Sequence, residues 1–123
     1  MKNLMRAALA LMFASCYQPQ RECERFHEGT FRFTAEIDGQ QQTTIFTRNG
    51  DLEISDFNGK RDSASVRWIN NCEYILTNLH PETRAEEKPI HLKILSTTEN
   101  SYTFEYKLVG TTRASRGTAV KAE

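Results

Sequence analysis

The stretch Gly29-Thr30-Phe31-Arg32-Phe33-Thr34-Ala35-Glu36-Ile37-Asp38-Gly39 decides how the rest of the chain is read. Phe31, Phe33, Ala35 and Ile37 alternate with Thr30, Arg32, Thr34 and Glu36, so an extended backbone puts the apolar side chains on one face and the polar ones on the other. A helix would scatter the same residues around its circumference. Asp38-Gly39 then supplies a turn. A strand with one dry and one wet face belongs to an antiparallel sheet.

The same period of two runs on toward the C-terminus, with turn signals roughly every eight to twelve residues. Thr43 to Arg48 and Asp51 to Phe57 flank Asn49-Gly50, a strong hairpin signal because both residues accept a positive φ. A two-residue loop there predicts Ile45 opposite Ile54, Thr47 opposite Leu52 and Arg48 opposite Asp51 as the outermost pair. Ser63 to Trp68 and Cys72 to Leu79 surround Ile69-Asn70-Asn71. A three-residue loop sets Trp68 against Cys72, Val66 against Tyr74 and Ala64 against Leu76, one coherent apolar face with Asn71 in the left-handed region. A two-residue Asn70-Asn71 turn would instead oppose Trp68 and Glu73.

His80 to Lys88 reads as a charged, Pro-bounded, mobile connection. Beyond it, Ile90, Leu92 and Ile94 alternate with His91 and Lys93, Ser96 to Ser101 turns the chain, and Tyr102, Phe104, Tyr106 and Leu108 share a face. A last strand from Thr111 to Lys121, bearing Arg113, Arg116 and Lys121, suits a solvated or edge position. Residues 22–28 fit one helical turn carrying Cys23 and Phe26 toward a mouth of the sheet. The expectation is therefore an all-β domain over 23–123: an antiparallel meander of about eight strands, closed as a small lipocalin-like barrel or curled as a half-barrel, with a β-sandwich as the alternative.

Composition agrees with a globular chain. Of 123 residues, 38% are hydrophobic and 26% charged, enough apolar surface to offset the entropy of ordering. Lys2 and Arg6 stand in the N-terminal stretch; without them 14 basic residues face 16 acidic ones, a net charge of −2. A domain with that balance has no field to attract a polyanion, so nucleic acid is not expected as a partner.

Met1 to Ser15 reads as a signal peptide: Lys2 and Arg6 supply positive charge and Ala7 to Ala14 an apolar run, far short of the roughly 20 residues that span a bilayer as a helix. Phe13-Ala14-Ser15-Cys16 resembles the lipobox of bacterial lipoproteins, with Phe13 in place of the usual Leu. That resemblance implies cleavage before Cys16 and lipidation of Cys16, with residues 16–22 as a polar tether. The chain has three cysteines. With Cys16 acylated, Cys23 and Cys72 remain, and in an oxidising compartment the pair reads as one disulfide, closing a loop for which chain entropy gives roughly 4 kcal/mol. The competing reading joins Cys23-x3-His27 and Cys72-x7-His80 as a zinc site, but neither spacing is a paired metal knuckle.

Little in the sequence points to catalysis. There is no G-x-S-x-G elbow and no glycine-rich phosphate loop, and no cofactor is expected. His27, His80 and His91 fall in a turn, a loop and an outward strand position. Glu86-Glu87 read as solvated charge, and so does Asp51 with Glu53 on a wet strand face. The sharpest constellation is aromatic: Phe31, Phe33, Trp68, Tyr74, Tyr102, Phe104 and Tyr106 form either a solid core or the wall of an apolar ligand pocket oriented by tyrosine hydroxyls. Lys107, Arg113, Arg116 and Lys121 form a basic set that suits an acidic partner, lipid headgroups or an ordinary charged face.

The spacings Cys23-x2-Phe26-x2-Gly29-x-Phe31 and Trp68-x3-Cys72-x-Tyr74-x-Leu76, with the closing Gly117-Thr118-Ala119-Val120-Lys121, resemble a family of small Gram-negative lipoproteins without assigned activity. Its members sometimes carry the name of an unrelated enzyme, DNA topoisomerase IV, a reaction for which this chain has neither the length nor a nucleotide loop. The resemblance implies a lipid-anchored, lipocalin-like β domain. Together these readings lead to the expectation of an exported, non-enzymatic lipoprotein of the bacterial cell envelope, membrane-anchored and acting as a binding or interaction module for a small apolar ligand or an envelope protein. The alternative is a solid-cored structural accessory subunit that docks a partner.

Overall fold

The computed structural model describes residues 21–37 and 39–122; the leader, Cys16 and the first part of the tether lie outside them. Eight antiparallel strands follow one another around a closed barrel: β1 (Gly29–Ile37), β2 (Gln40–Asn49), β3 (Leu52–Phe57), β4 (Lys60–Asn70), β5 (Glu73–Asn78), β6 (Ile90–Thr97), β7 (Ser101–Leu108) and β8 (Ser115–Lys121). Each strand pairs with its neighbours in sequence, and β8 returns to β1 through Phe31–Lys121, Arg32–Val120 and Phe33–Ala119. The meander expected from the alternation is present, and closure leaves no unpaired sheet edge. Of the solvated or edge position expected for the last strand, the edge is corrected: β8 is paired on both sides and begins at Ser115, not Thr111, while Arg116 on it is exposed.

Alternation sorts the side chains by face. Phe31, Phe46, Val66, Tyr74, Leu92, Ile94, Tyr102, Phe104 and Ala119 are buried inside. Outside, threonines on neighbouring strands meet hydroxyl to hydroxyl: Thr30 with Thr47 at 3.0 Å, Thr34 with Thr43 at 3.1 Å, Thr103 with Thr118 at 3.3 Å. A barrel that spans lipid carries the reverse arrangement, with an apolar band on its outer face. Gly117 lets β8 approach closely, since a Cβ at this position would run into the Phe33 ring.

Two registers differ from expectation. At the β2–β3 hairpin the turn is Gly50-Asp51, so that Asn49 pairs with Leu52, Arg48 with Glu53 and Thr47 with Ile54. Gly50 alone has a positive φ there, 61°, which matches a turn with glycine first and not an Asn-Gly turn with both residues left-handed. Asn58-Gly59 has that second geometry, at φ 49° and 78°, and joins β3 to β4 through Phe57–Lys60. The displacement of the β2–β3 pairing is by two residues and preserves the pleat; the expected faces of β2 and β3 are inverted because β2 pairs with β1 through Phe31–Phe46, so the inward face that carries Phe31 carries Phe46 as well. Phe46, Arg48 and Glu53 are buried, whereas Ile45 and Leu52 are exposed.

At β4–β5 the three-residue loop is likewise replaced. Trp68 pairs with Tyr74, Val66 with Leu76 and Ala64 with Asn78, Asn70 faces Glu73, and a bulge at Ile69 absorbs the extra residue. Asn71 does not take a positive φ. The inward face is the one anticipated, because the displacement is by two residues and preserves the pleat.

Turns 50–51, 71–72 and 98–100 gather at one end of the barrel; turns 58–59, 79–89 and 109–114 gather at the other. The connection 79–89 contains one helical turn, α1 (Arg84–Glu87), started by a capping box in which Thr83 Oγ1 accepts from the Glu86 N–H while Glu86 Oε2 accepts from Thr83 N–H. Glu82 N–H also donates to Glu86 Oε2, and this contact leads the effects that hold the Glu86 carboxyl below its ordinary range.

Candidate functional site

The first end is plugged. A 3₁₀ turn, Cys23–Phe26, lies across it, with Cys23 and the whole Phe26 ring buried. Burying that ring contributes roughly 1.5–3 kcal/mol. The Cys23–Cys72 disulfide ties the turn to the β4–β5 hairpin. His27 stacks on Trp68 at 3.7 Å and its Nε2–H donates to the Asn71 carbonyl at 2.8 Å. Lys121 Nζ reaches the Arg25 carbonyl at 3.1 Å, and Arg25 in turn donates to the Glu99 carbonyl. The zinc alternative does not survive: both sulfurs are bonded to each other, and His80 belongs to the connection at the opposite end.

Beneath the plug stands Arg48, 1% exposed. It points inward because it sits two positions from Phe46 on the same strand face. Nε donates to Glu53 Oε1 at 3.2 Å, Nη1 to the Phe26 carbonyl at 2.7 Å, and Nη2 to the hydroxyls of Tyr74 and Tyr102 at 3.1 and 3.0 Å. Aromatic faces surround the guanidinium, whose carbon lies 4.6 Å from the Tyr74 ring centroid, 5.1 Å from Phe31 and 5.6 Å from Phe46 and Trp68. A planar, weakly hydrated cation suits such a site better than an ammonium would. An uncompensated charge here would cost several kcal/mol, and these partners offset that cost.

The same burial acts on the neighbours. Burial pushes the Glu53 carboxyl above its ordinary range, with the attraction and hydrogen bond of Arg48 pulling the other way. Burial also raises the Tyr74 phenol well above its usual value, and Tyr102 above its own. For Arg48, burial works against the charge, but Tyr74, Tyr102 and Glu53 outweigh it and the guanidinium holds its proton more firmly than usual.

Above this cluster, toward the second end, the barrel is not filled. A cavity of about 270 Å³ has Glu53, Tyr74, Tyr102 and Phe46 at its base and Phe33, Leu76, Phe104 and Tyr106 in its walls, with Thr44 and Ser55 as further polar groups. It adjoins a second space bounded by Asp62, Asn78, Glu86 and Lys88, under α1. Of the seven aromatics singled out in the sequence, five line the cavity; Phe31 and Trp68 instead pack round Arg48 at the plug.

Two residues that matter most here were not anticipated as a pair. Arg48 and Glu53 read as an outer-rim and a wet-face residue under the expected hairpin, and the pairing of β2 with β1, which sets Phe46 opposite the buried Phe31, makes their shared face the inner one. The signal was the tyrosines: an interior with phenol hydroxyls needs a buried polar partner, and Arg48 shares its face with Phe46. The basic set disperses, because Lys121 belongs to the plugged end, Lys107 and Arg113 flank the other end, and Arg116 faces Glu105 at 3.7 Å. His91 lies 3.5 Å from Glu73 on the outside of the barrel. Among the described residues no group of three or more His, Cys, Asp or Glu side chains is placed to hold a metal ion, and no helix is long and apolar enough to cross a membrane. Comparison with family models, with curated proteins and with solved structures returned no significant match.

Proposed function

We propose that this chain is an exported, non-enzymatic lipoprotein of the bacterial cell envelope, anchored through Cys16, whose barrel holds a small and mainly apolar ligand. The observation that carries the reading is the cavity of about 270 Å³, walled by Phe33, Leu76, Phe104 and Tyr106 and polar only at a few points. A solid-cored accessory subunit would have that space filled. Taking about 30 Å³ as the liquid volume of one water, the cavity has the room of roughly nine waters, which suits a ligand of about ten non-hydrogen atoms. The anchor rests on the lipobox-like run ending at Cys16 and on the pairing of Cys23 with Cys72, which leaves Cys16 as the remaining thiol.

Mass spectrometry of protein recovered from its native membrane fraction tests the whole reading at once. The expected species begins at Cys16, carries acyl groups, is lighter by two hydrogens for one disulfide, and releases a small molecule on denaturation. An unacylated 123-residue chain without any released molecule would overturn it.

A further inference from the structure

The geometry points to the class of ligand head group, an inference that rests on the cavity-binding reading above: the barrel takes a small apolar molecule ending in an uncharged hydroxyl or amide and excludes carboxylates and ammonium ions. A buried arginine under a cavity would ordinarily suggest an acid, but Arg48 is already spent. Its Nε and both Nη atoms are engaged by Glu53, Phe26, Tyr74 and Tyr102, and Arg48 does not reach the cavity wall. What the cavity meets in its place is Glu53.

Glu53 is 8% exposed and only its Oε1 takes a hydrogen bond from the described residues. No buried side-chain oxygen or nitrogen among them is left without a partner, so Oε2 is open to the space that Glu53 lines, the cavity and its continuation under α1. It is a bare acceptor looking into an apolar space. Tyr74 and Tyr102 each accept from Arg48 through oxygen and are hydrogen-bonded to each other, which engages one of the two O–H groups and leaves the other to donate to a ligand beside that acceptor. A hydroxyl or primary amide both donates and accepts, and matches the two features together.

Charge removes the other candidates. A carboxylate would bring a second anion against Oε2 in a poorly screened interior, and the adjoining space offers it Asp62 and Glu86 against the single cation Lys88. An ammonium would meet a carboxylate that Arg48 has already neutralised, and would leave the interior with one excess buried positive charge.

Calorimetric titration of the purified protein at pH 7 with 1-octanol, octanoate and octylammonium decides the matter. The expected result is that octanol binds at least tenfold more tightly than either ion. Thr44→Phe, which fills the cavity away from the Arg48 cluster, abolishes octanol binding while the circular dichroism of the fold is retained. In Arg48→Met/Glu53→Gln, which removes both charges together, octanoate comes within threefold of octanol. Octanoate or octylammonium binding as tightly as octanol to the wild type, or selectivity that persists in the double variant, would overturn the head-group assignment and leave cavity binding intact. If none of the three binds, or if Thr44→Phe changes nothing, cavity binding itself falls and the head-group assignment with it.

Discussion

Arg48 occupies a place where a small barrel would ordinarily put an aliphatic side chain, and its neighbours are arranged as though the charge were the fixed quantity. Removing one member of a buried pair is costly because the other remains. Arg48→Met is expected to lower the unfolding free energy by about 3–5 kcal/mol, while Arg48→Met/Glu53→Gln recovers most of it. Urea denaturation of both variants measures this, and a double variant as unstable as the single one would show that Glu53 is not the group left stranded. Tyr74 and Tyr102 add a pH dependence whose sign follows from burial. Their phenols are raised in the fold, so the stability they contribute is complete below the ordinary tyrosine value near 10 and is lost as pH climbs from there through the raised folded values. In an alkaline absorbance titration, these two phenols should ionise only together with unfolding. Their early, independent ionisation in the folded protein would mean that Arg48 outweighs burial at these phenols. The need for such a partner was legible in the tyrosines; its identity was not, because the face on which Arg48 lies depends on a register set elsewhere.

That register is the one between β1 and β2, in which Phe46 stands opposite Phe31 and Arg48 opposite Gly29. The segment 49–59 holds two Asn-Gly pairs, and only Asn58-Gly59 adopts the doubly left-handed turn. At Asn49-Gly50 the turn lies one step onward, which leaves each residue on its own face; Phe46 is inward and Ile45 outward because Phe46 pairs with the buried Phe31 of β1. Local propensity treats the two pairs alike and does not select the inward face, which follows from packing against β1: Phe46 stacks on Phe31 at 5.3 Å. β1 was readable because its alternation has no competitor, and β5 because its tyrosine and leucines allow one inward face. The plug is the other element with a measurable part in stability. Cys23 and Cys72 are 49 residues apart, and replacing both by Ser is expected to cost roughly 4 kcal/mol. Thermal and urea unfolding with and without reductant should reproduce that loss in the wild type alone. An unchanged midpoint in the double Ser variant would mean that His27, Lys121 and the Phe26 carbonyl suffice to hold the turn.

Across the molecule the two ends do different work, one consolidated by a covalent bond and an internal ion pair, the other bordered by α1 and longer connections over unfilled space. Sequence periodicity gives the number of strands and their order, because hairpin follows hairpin and closure relieves every edge. It does not give the volume left inside, since that depends on how far aromatic rings from opposite walls reach past one another, as Phe33 and Phe104 do at 5.4 Å. The chain is joined to the barrel at the consolidated end: Arg21 donates to the Ile94 carbonyl and Glu22 to Thr97 Oγ1. The described chain therefore begins at Arg21 beside the stopper. Under the anchor proposed at Cys16, the molecule would stand on its sealed base with its open mouth turned to the aqueous side, so a proposed ligand would come from water and not directly out of the lipid.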